Sequence, residues 1–150
     1  MSVKIWGPPI WCFFHTLAEQ IKEDKFNEIF VQLFTYIRRI CRVLPCPDCS
    51  EHATQFLSKV NPAGIRCKQD FKNVMFFFHN SVNKRKGKPI FDINNLSQYT
   101  NVPVIMAYNN FVAVFKTKGN MKLLADSFQR QMLLKEFRIM FINNISCFIK

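Results

Sequence analysis

The sequence predicts an all-α protein whose central unit is a four-helix bundle, and three observations support that fold class. Four segments before residue 100 carry apolar residues at steps of three and four, the spacing that lines one face of an α-helix. Short loops join these segments, as in bundles of antiparallel helices. No stretch before residue 100 alternates apolar and polar residues as a half-buried strand would. The pattern therefore excludes a sheet of alternating strands and helices.

The first two helices follow from proline positions and apolar spacing. Helix one should begin near residue 9, because Pro8 and Pro9 are tolerated only at or before a first helical turn. Its apolar residues are Ile10, Phe14, Leu17, Ala18 and Ile21. Helix two, from Phe26 to Val43, has the clearest pattern in the chain and measures about five turns. Its apolar residues are Phe26, Ile29, Phe30, Leu33, Phe34, Ile37, Ile40, Cys41 and Leu44.

Helices three and four are bounded by prolines and a basic run. Pro45 ends helix two, and Pro47 stands where a proline at the first helical position starts helix three, which Asn61-Pro62 ends. Its inward residues are Ala53, Phe56, Leu57 and Val60. Helix four, from about Asp70 to Asn83, ends at the run Lys84 to Pro89, and its inward residues are Phe71, Val74, Met75, Phe78 and Val82.

The last third of the chain gives a weaker pattern. Residues 1–100 are expected to form the bundle, and residues 101–150 a helical extension of unknown role packed on the same domain. Val102 to Phe115 is apolar enough for a short helix or a strand. Met121 to Phe148 carries a looser helical stripe through Leu124, Phe128, Phe137, Met140, Phe141 and Ile145.

Composition excludes several protein classes. The 150 residues, 49% of them apolar, suit one folded domain, and no apolar stretch is long enough to span a membrane. The start of the sequence lacks the apolar region of a secretory signal, so we expect the six cysteines to meet a reducing cytoplasm. A close cysteine pair there suits redox chemistry or metal binding better than a structural cross-link.

The motif Pro45-Cys46-Pro47-Asp48-Cys49 is the strongest local signal. The C-x-x-C spacing at a helix start puts both sulfurs on one face, close enough to form a disulfide. Cys46 falls in the N-cap region, where free backbone amides and the helix dipole favour the thiolate, so Cys46 is the candidate attacking sulfur. Asp48 would oppose that effect.

Other uses of the cysteine pair fit less well. A zinc site would need two more ligands, for which His52, Cys67 and His79 are candidates, but no second C-x-x-C or H-x3-5-H is present. Haem attachment requires His where Ser50 stands, and a thioredoxin site requires a preceding strand. No metal is therefore expected.

Two further motifs place aromatic and polar side chains on helices. His79 and Asn83 are one turn apart and precede the basic run, so a heteroaromatic ligand with phosphates would supply the partners they need. A hydrogen-bonded core histidine beside a solvated turn is the alternative. Trp11 and His15 repeat the one-turn spacing near the start of the chain, where core packing is again the simpler interpretation.

Together the motifs W-G-x-x-x-W-x-x-x-H, P-C-x-x-C-x-x-H and H-N-x-V-N-K-R-x-G-K-P resemble the Erv/ALR family of FAD-dependent sulfhydryl oxidases. The resemblance spans about Trp6 to Phe91 and is strongest to short forms encoded by large DNA viruses that assemble in the cytoplasm. It implies a four-helix bundle with a short fifth helix, FAD held at the mouth of the bundle, and a homodimer. Cellular members often carry a structural disulfide where this chain has Phe76 and Ile93, which could pack instead.

The resemblance also implies an activity and residue roles. Substrate protein dithiols, or a small redox shuttle protein, would be oxidised while electrons pass through FAD to dioxygen, giving hydrogen peroxide. Cys46 would exchange with the dithiol and Cys49 would face the flavin. The implied FAD contacts are Gly7, Trp11, His15, His79, Asn80, Val82, Asn83, Arg85, Lys86 and Lys88. The cysteines left over are Cys12, Cys41, Cys67 and Cys147, of which Cys147 could be a shuttle thiol or an inert one.

The net charge of +11 supports a rival class, a basic nucleic-acid-binding or virion structural protein. Lys and Arg are spread over every segment, however, and no run is longer than Lys84-Arg85-Lys86. Neither nucleic acid nor a membrane is therefore expected as a partner. A zinc-stabilised helical interaction module that uses Cys46 and Cys49 is a second rival.

Overall fold

Six α-helices build the protein, as seen in a computed structural model that describes residues 3–116 and 124–150. They are α1 (Val3–Gln20), α2 (Phe26–Arg42), α3 (Pro47–Ser58), α4 (Lys68–Arg85), α5 (Val104–Phe115) and α6 (Leu124–Asn143). Short 3-10 turns lie between helices at Glu23–Lys25, Pro62–Gly64 and Ile93–Tyr99, and another follows α6 at Ile145–Cys147. Within the described residues the only β-type pairing is an isolated bridge between Ile21 and Phe148. The all-α prediction is confirmed.

Helix α1 begins earlier than predicted. It starts at Val3 and contains Pro8 and Pro9, so the expected start near residue 9 is wrong. The two prolines forfeit two backbone hydrogen bonds, each worth about 0.5–1.5 kcal/mol net. Extending the helix places Trp6 in the core together with Ile10, both 4% exposed. Burying a side chain of this size contributes about 1.5–3 kcal/mol, which offsets part of the cost of the two prolines.

Helices α2, α3 and α4 confirm the periodicity predictions. Every apolar residue predicted for α2 is buried, and α4 runs two residues beyond its predicted limits at each end. The side chain of Arg38 on α2 donates to the carbonyls of Leu57 and Val60 at 3.1 and 2.7 Å. This contact satisfies carbonyl groups at the end of α3 and fixes α3 against α2.

The C-terminal helices pack on α1 through aromatic rings. Phe13 is fully buried and stacks on Phe111 of α5 with ring centroids 4.8 Å apart. Phe137 and Phe141 of α6 meet the same ring at 5.8 and 6.0 Å. The segment that could have been a helix or a strand is the helix α5, because this packing requires Tyr108 and its neighbours on one helical face. The division into bundle and extension stays a prediction.

One predicted core residue of α6 lies on the surface. Phe128 is 64% exposed, whereas Phe137, Met140 and Phe141 are buried as predicted. The buried stripe of α6 continues through Leu133 to Arg130, and the predicted stripe mixed two faces of the helix. Residue 121 of that stripe lies outside the described residues.

The chain after α4 turns back over α1. A 3-10 turn at Ile93–Tyr99 occupies the place of the expected short fifth helix. The amide of Gln20 donates to the carbonyls of Tyr99 and Thr100 at 2.9 and 2.7 Å. Ile93 is 53% exposed, and the ring of Phe76 lies near Phe91. The suggested packing of Phe76 with Ile93 stays a prediction. None of the described helices is both long and apolar enough to cross a bilayer.

Candidate active site

The cysteine pair forms a disulfide at the start of α3. Cys46 and Cys49 have Cα atoms 5.2 Å apart and are bonded through their sulfurs. Cys46 is the N-cap residue, and its Sγ accepts a hydrogen bond from the backbone N–H of Cys49 at 3.2 Å. Pro47 occupies the first helical turn. The N-cap position inferred from the sequence is confirmed, and the helix amides there would stabilise a thiolate.

Buried contacts from two directions hold this turn. The backbone N–H of Leu44 donates to the hydroxyl of Ser50 at 2.8 Å. The guanidinium of Arg130, which is 0% exposed, donates to the carbonyl of Val43 at 3.1 Å. A charged donor makes a stronger hydrogen bond than a neutral one. Helix α6 therefore fixes the end of α2 directly before the cysteine turn.

The carboxylate that could disfavour a thiolate is paired. Asp48 lies 3.0 Å from the Arg85 guanidinium of α4 and 3.6 Å from the His52 ring. Arg85 offsets the negative charge beside the cysteine pair. Because Asp48 is 67% exposed, this surface pair contributes little to stability and acts mainly on the local field.

A cavity of about 450 Å³ opens between the start of α1 and the end of α4. Its walls are Gly7, Pro8, Trp11, His79, Val82, Asn83, Lys86, Lys88, Pro89 and Tyr99. A smaller apolar slot of about 50 Å³ lies beside it, and Cys49 is part of the slot wall. The cavity and the slot share Gly7, Trp11, Val82 and Lys86. The two are therefore neighbours, and together we call them the cleft; Cys49 of the disulfide lines its slot.

Stacked rings form one wall of the cavity. The rings of Trp11 and His79 are parallel within 9°, with centroids 4.2 Å apart, and Phe78 meets Trp11 edge-on. His15 Nε2 and His79 Nδ1 are hydrogen-bonded at 2.9 Å. His15 is 2% exposed and also stacks on Tyr99 at 4.9 Å. This aromatic wall is suited to contact with an aromatic ligand.

Both histidines are neutral at pH 7. Burial, with a smaller contribution from His79, lowers the pKa of His15 to about 3. Burial, with a smaller contribution from Lys88, lowers the pKa of His79 to about 4. A neutral pair can share one hydrogen between the two rings and still present donors and acceptors at the ring edges.

A basic turn closes the other side of the cavity. Gly87, with φ 68°, ends α4 in the left-handed conformation that favours glycine. The N–H of Lys88 donates to the Asn83 carbonyl at 2.8 Å, and the N–H of Gly87 to the Lys84 carbonyl at 3.2 Å, the pairing of a Schellman motif. Burial, and then the charges of Lys88 and Arg85, lower the pKa of Lys86. These crowded cations suit an anion such as a diphosphate.

The cleft collects most of the predicted cofactor contacts. Those that line the cavity are Gly7, Trp11, His79, Val82, Asn83, Lys86 and Lys88, and Arg85 lines the slot. His15 lies behind His79. Asn80 uses its amide oxygen and nitrogen on the backbone of Phe91 at 2.7 and 3.1 Å. All ten predicted flavin contacts stay predictions.

Sequence reasoning missed several lining residues. Pro8, Pro89 and Tyr99 line the cavity, and Trp6 lines the slot. Trp6 lies before the predicted start of helix one near residue 9, although it begins the W-G motif. Its Nε1 is buried and finds no acceptor among the residues that the structure describes. An orphaned donor beside Cys49 is a signal for a polar heterocycle in the slot.

The residues of the cleft fit FAD. Parallel rings suit a planar heterocycle, the orphaned Trp6 N–H suits its polar edge, and Lys86 and Lys88 suit a diphosphate.

The candidate zinc ligands are not assembled. In the described part of the chain, no group of three or more His, Cys, Asp or Glu side chains could hold a metal ion. His52 faces Asp48, His79 pairs with His15, and Cys67 caps the start of α4.

The four remaining cysteines are free thiols. Cys41 is 1% exposed, and burial strongly raises the pKa of its thiol. Cys147 is 4% exposed, which favours the inert interpretation over a shuttle thiol. Cys12 is partly buried, with its Sγ 3.9 Å from the hydroxyl of Thr16.

Comparison with known proteins agrees with the resemblance seen in the motifs. The profile of the Erv1 / Alr family matches residues 8–101. A FAD-linked sulfhydryl oxidase of African swine fever virus is 33% identical over 97 residues, which cover 65% of this chain and 78% of that protein. FAD-linked sulfhydryl oxidase ERV1 of Oryza sativa subsp. japonica is 32% identical over 85 residues, which cover 57% of this chain and 43% of that protein. No solved structure matches the chain. Because the profile covers more than half of the sequence, the chain belongs to the Erv1 / Alr family.

Proposed function

We propose that the protein is a FAD-linked sulfhydryl oxidase that forms disulfides in substrate proteins. One observation carries the proposal: the Cys46–Cys49 disulfide borders, through Cys49, the same cleft that holds the stacked rings and the basic turn. A redox pair and a cofactor-sized cavity are thereby joined. Relatives that bear the name FAD-linked sulfhydryl oxidase support the same activity.

The exchange half of the reaction follows from the position of the two sulfurs. A substrate thiolate attacks Cys46 Sγ, the S–S bond breaks, and Cys49 leaves as a thiolate. The second substrate thiol loses its proton and attacks the mixed disulfide, which releases oxidised substrate and the Cys46 thiolate. The N-cap amides at Cys46 stabilise that thiolate, and Arg85 offsets Asp48 beside it.

The second half of the reaction, the reoxidation of the cysteine pair, would take place in the cleft. When bound, FAD would supply the two-electron acceptor for the reduced cysteine pair, with dioxygen as the final acceptor and hydrogen peroxide as its product. Trp11 and His79 would hold an aromatic ring, Trp6 would donate to its polar edge, and Lys86 and Lys88 would bind the phosphates. Cys49, as part of the slot wall, would face the flavin.

The proposal extends to the setting of the enzyme. We expect a homodimer that works in the cytoplasm on viral protein dithiols, directly or through a small redox shuttle protein. Viral relatives support the viral setting. Gel filtration with light scattering measures the oligomeric state of the purified protein.

Purified protein tests the activity directly. It should be yellow, show a flavin spectrum and consume oxygen when dithiothreitol is added. A colourless protein that stays inert after reconstitution with FAD would refute the proposal.

Two cysteine variants test the assignment of the pair. Cys49→Ser should retain bound FAD but abolish flavin bleaching by dithiothreitol under anaerobic conditions, because the electron path through the slot is cut. Cys12→Ser is the matched control, since Cys12 is a free, partly buried thiol outside the pair. Loss of bleaching in Cys12→Ser together with its survival in Cys49→Ser would show that the pair is misassigned.

A further inference from the structure

A second groove lies next to the cysteine turn, between α2 and α6. It measures about 290 Å³ and is lined by Arg39, Arg42, Val43, Phe128, Gln129, Met132 and Leu133. We call it the α2–α6 groove. Four of its seven lining residues come from α6, which lies outside residues 8–101 shared with the family.

The α2–α6 groove is physically connected to the redox turn. Val43, part of its wall, precedes Cys46 by three residues, and three extended residues span at most about 11 Å. The hydrogen bond from the buried Arg130 guanidinium to the Val43 carbonyl holds α6 at this place. A chain segment seated in the groove can therefore bring a neighbouring cysteine to Cys46.

The lining combines exposed apolar side chains with positive charge. Phe128 and Met132 are 64% and 50% exposed, one helical turn apart on α6. Arg39 is paired with Glu136 and lies over the Tyr36 ring. Arg42 is exposed, and no carboxylate of the described residues forms an ion pair with it. Among the described residues, the groove therefore offers an apolar surface beside a guanidinium that has no ion-pair partner.

We propose that the α2–α6 groove docks an acidic, apolar segment of the thiol substrate next to its reactive cysteine. An apolar side chain of that segment packs on Phe128 and Met132, and a carboxylate faces Arg42. The inference rests on the proposed oxidase activity and names the chemistry of its protein substrate. It also gives the net charge of +11 a use, since a positive surface attracts acidic partners and speeds their encounter.

Charge favours a substrate segment over a second copy of this chain. A symmetric dimer formed through this face would bring the same patch of each copy together, including both Arg42 side chains. Like charges placed together across an interface cost free energy, whereas an acidic segment removes the imbalance.

The experiment compares three reductants with the FAD-loaded enzyme in an oxygen electrode. The reductants are dithiothreitol, a Cys-x-x-Cys peptide flanked by leucine and aspartates, and the same peptide with lysines in place of the aspartates. The variants are Arg42→Glu and the double change Phe128→Ser with Met132→Ser. Arg66→Glu is the control, because Arg66 is exposed, lies outside the groove and undergoes the same change of charge.

Arg42→Glu should raise KM for the acidic peptide about tenfold and lower it for the basic peptide, since tenfold corresponds to about 1.4 kcal/mol of binding. The double variant should raise KM for both peptides. Arg66→Glu should have little effect, and dithiothreitol, which is too small to need the groove, should be oxidised equally by all variants.

Three results would overturn the inference. Equal changes in KM for Arg42→Glu and Arg66→Glu would show an effect of net charge alone. Unchanged peptide kinetics in both groove variants would show that the groove is not used. If the unaltered enzyme is a dimer, and the double variant is a monomer with an unchanged KM for both peptides, a second copy of the chain covers the groove instead. Failure of the unaltered enzyme to oxidise dithiothreitol would refute the proposed function instead.

Discussion

Lowering the pH from 7 to 5 should weaken the fold through His15. Its folded pKa of about 3 lies far below the ordinary 6.5, mainly because the ring is buried. The unfolded chain therefore binds a proton near pH 6.5 that the folded chain does not bind. The stabilisation is fully present above pH 6.5 and is lost as the pH falls toward the folded pKa.

The size of this effect follows from proton linkage. Between pH 7 and pH 5, His15 alone should remove about 2 kcal/mol from the free energy of unfolding. His79 acts in the same direction, since its pKa is also lowered, to about 4, but its partial exposure makes its contribution smaller. The range stops at pH 5 because ordinary carboxylates begin to titrate below it.

Urea unfolding of the FAD-loaded protein is followed by circular dichroism at pH 7, 6 and 5 and constant ionic strength. It measures the slope of the free energy of unfolding against pH. His15→Gln should flatten it, whereas His52→Gln, a change on the surface, should leave it in place. A stability that stays constant or rises toward pH 5 would refute the reasoning. So would a His15 ring that titrates near pH 6.5 in the native protein by NMR.

Three substitutions test other parts of the structure. Phe13→Ala should lower the free energy of unfolding by about 3–5 kcal/mol, because it removes the ring that joins α1 to α5 and α6. Urea unfolding should still show one transition. A loss under about 1 kcal/mol would contradict the shared core. Gly87→Ala should lower the free energy of unfolding by about 1–2 kcal/mol through its positive φ alone, since no atom lies within 4 Å of an added Cβ. An unchanged unfolding midpoint would show that the turn relaxes. Trp6→Phe should weaken FAD binding about two- to tenfold in a fluorescence titration, the worth of one hydrogen bond, and unchanged affinity would show that Nε1 does not contact the cofactor.

The spacing of apolar residues and prolines predicted those helices whose bounds depend on neighbouring residues in the sequence. Helix α2 is amphipathic along its whole length, and prolines mark the start of α3, so both could be predicted from spacing alone. The start of α1 could not, because it depends on where Trp6 is buried. On α6 the buried face passes through Arg130 and the exposed face through Phe128 and Met132, so hydrophobicity alone misplaced Phe128.

Some residues of the candidate site could likewise be predicted from sequence spacing, and others could not. Motif residues on α1 and α4 lie around the cavity, because residues one turn apart share a helical face. Tyr99 and Arg130 reach the cleft and the cysteine turn from distant parts of the chain, through contacts that no sequence spacing encodes. Asn80 belongs to a motif, yet its amide is occupied by the Phe91 backbone, a pairing that only the folded loop reveals.

The cross-link between Cys46 and Cys49 is also the bond that the proposed chemistry opens in every cycle. It spans three residues of sequence separation, so the chain entropy it removes from the unfolded state corresponds to only about 2 kcal/mol. The other four cysteines are free, and the fold depends instead on buried apolar side chains contributed by all six helices. An enzyme built this way can work amid strong reductants and alternate between its oxidised and reduced forms without unfolding.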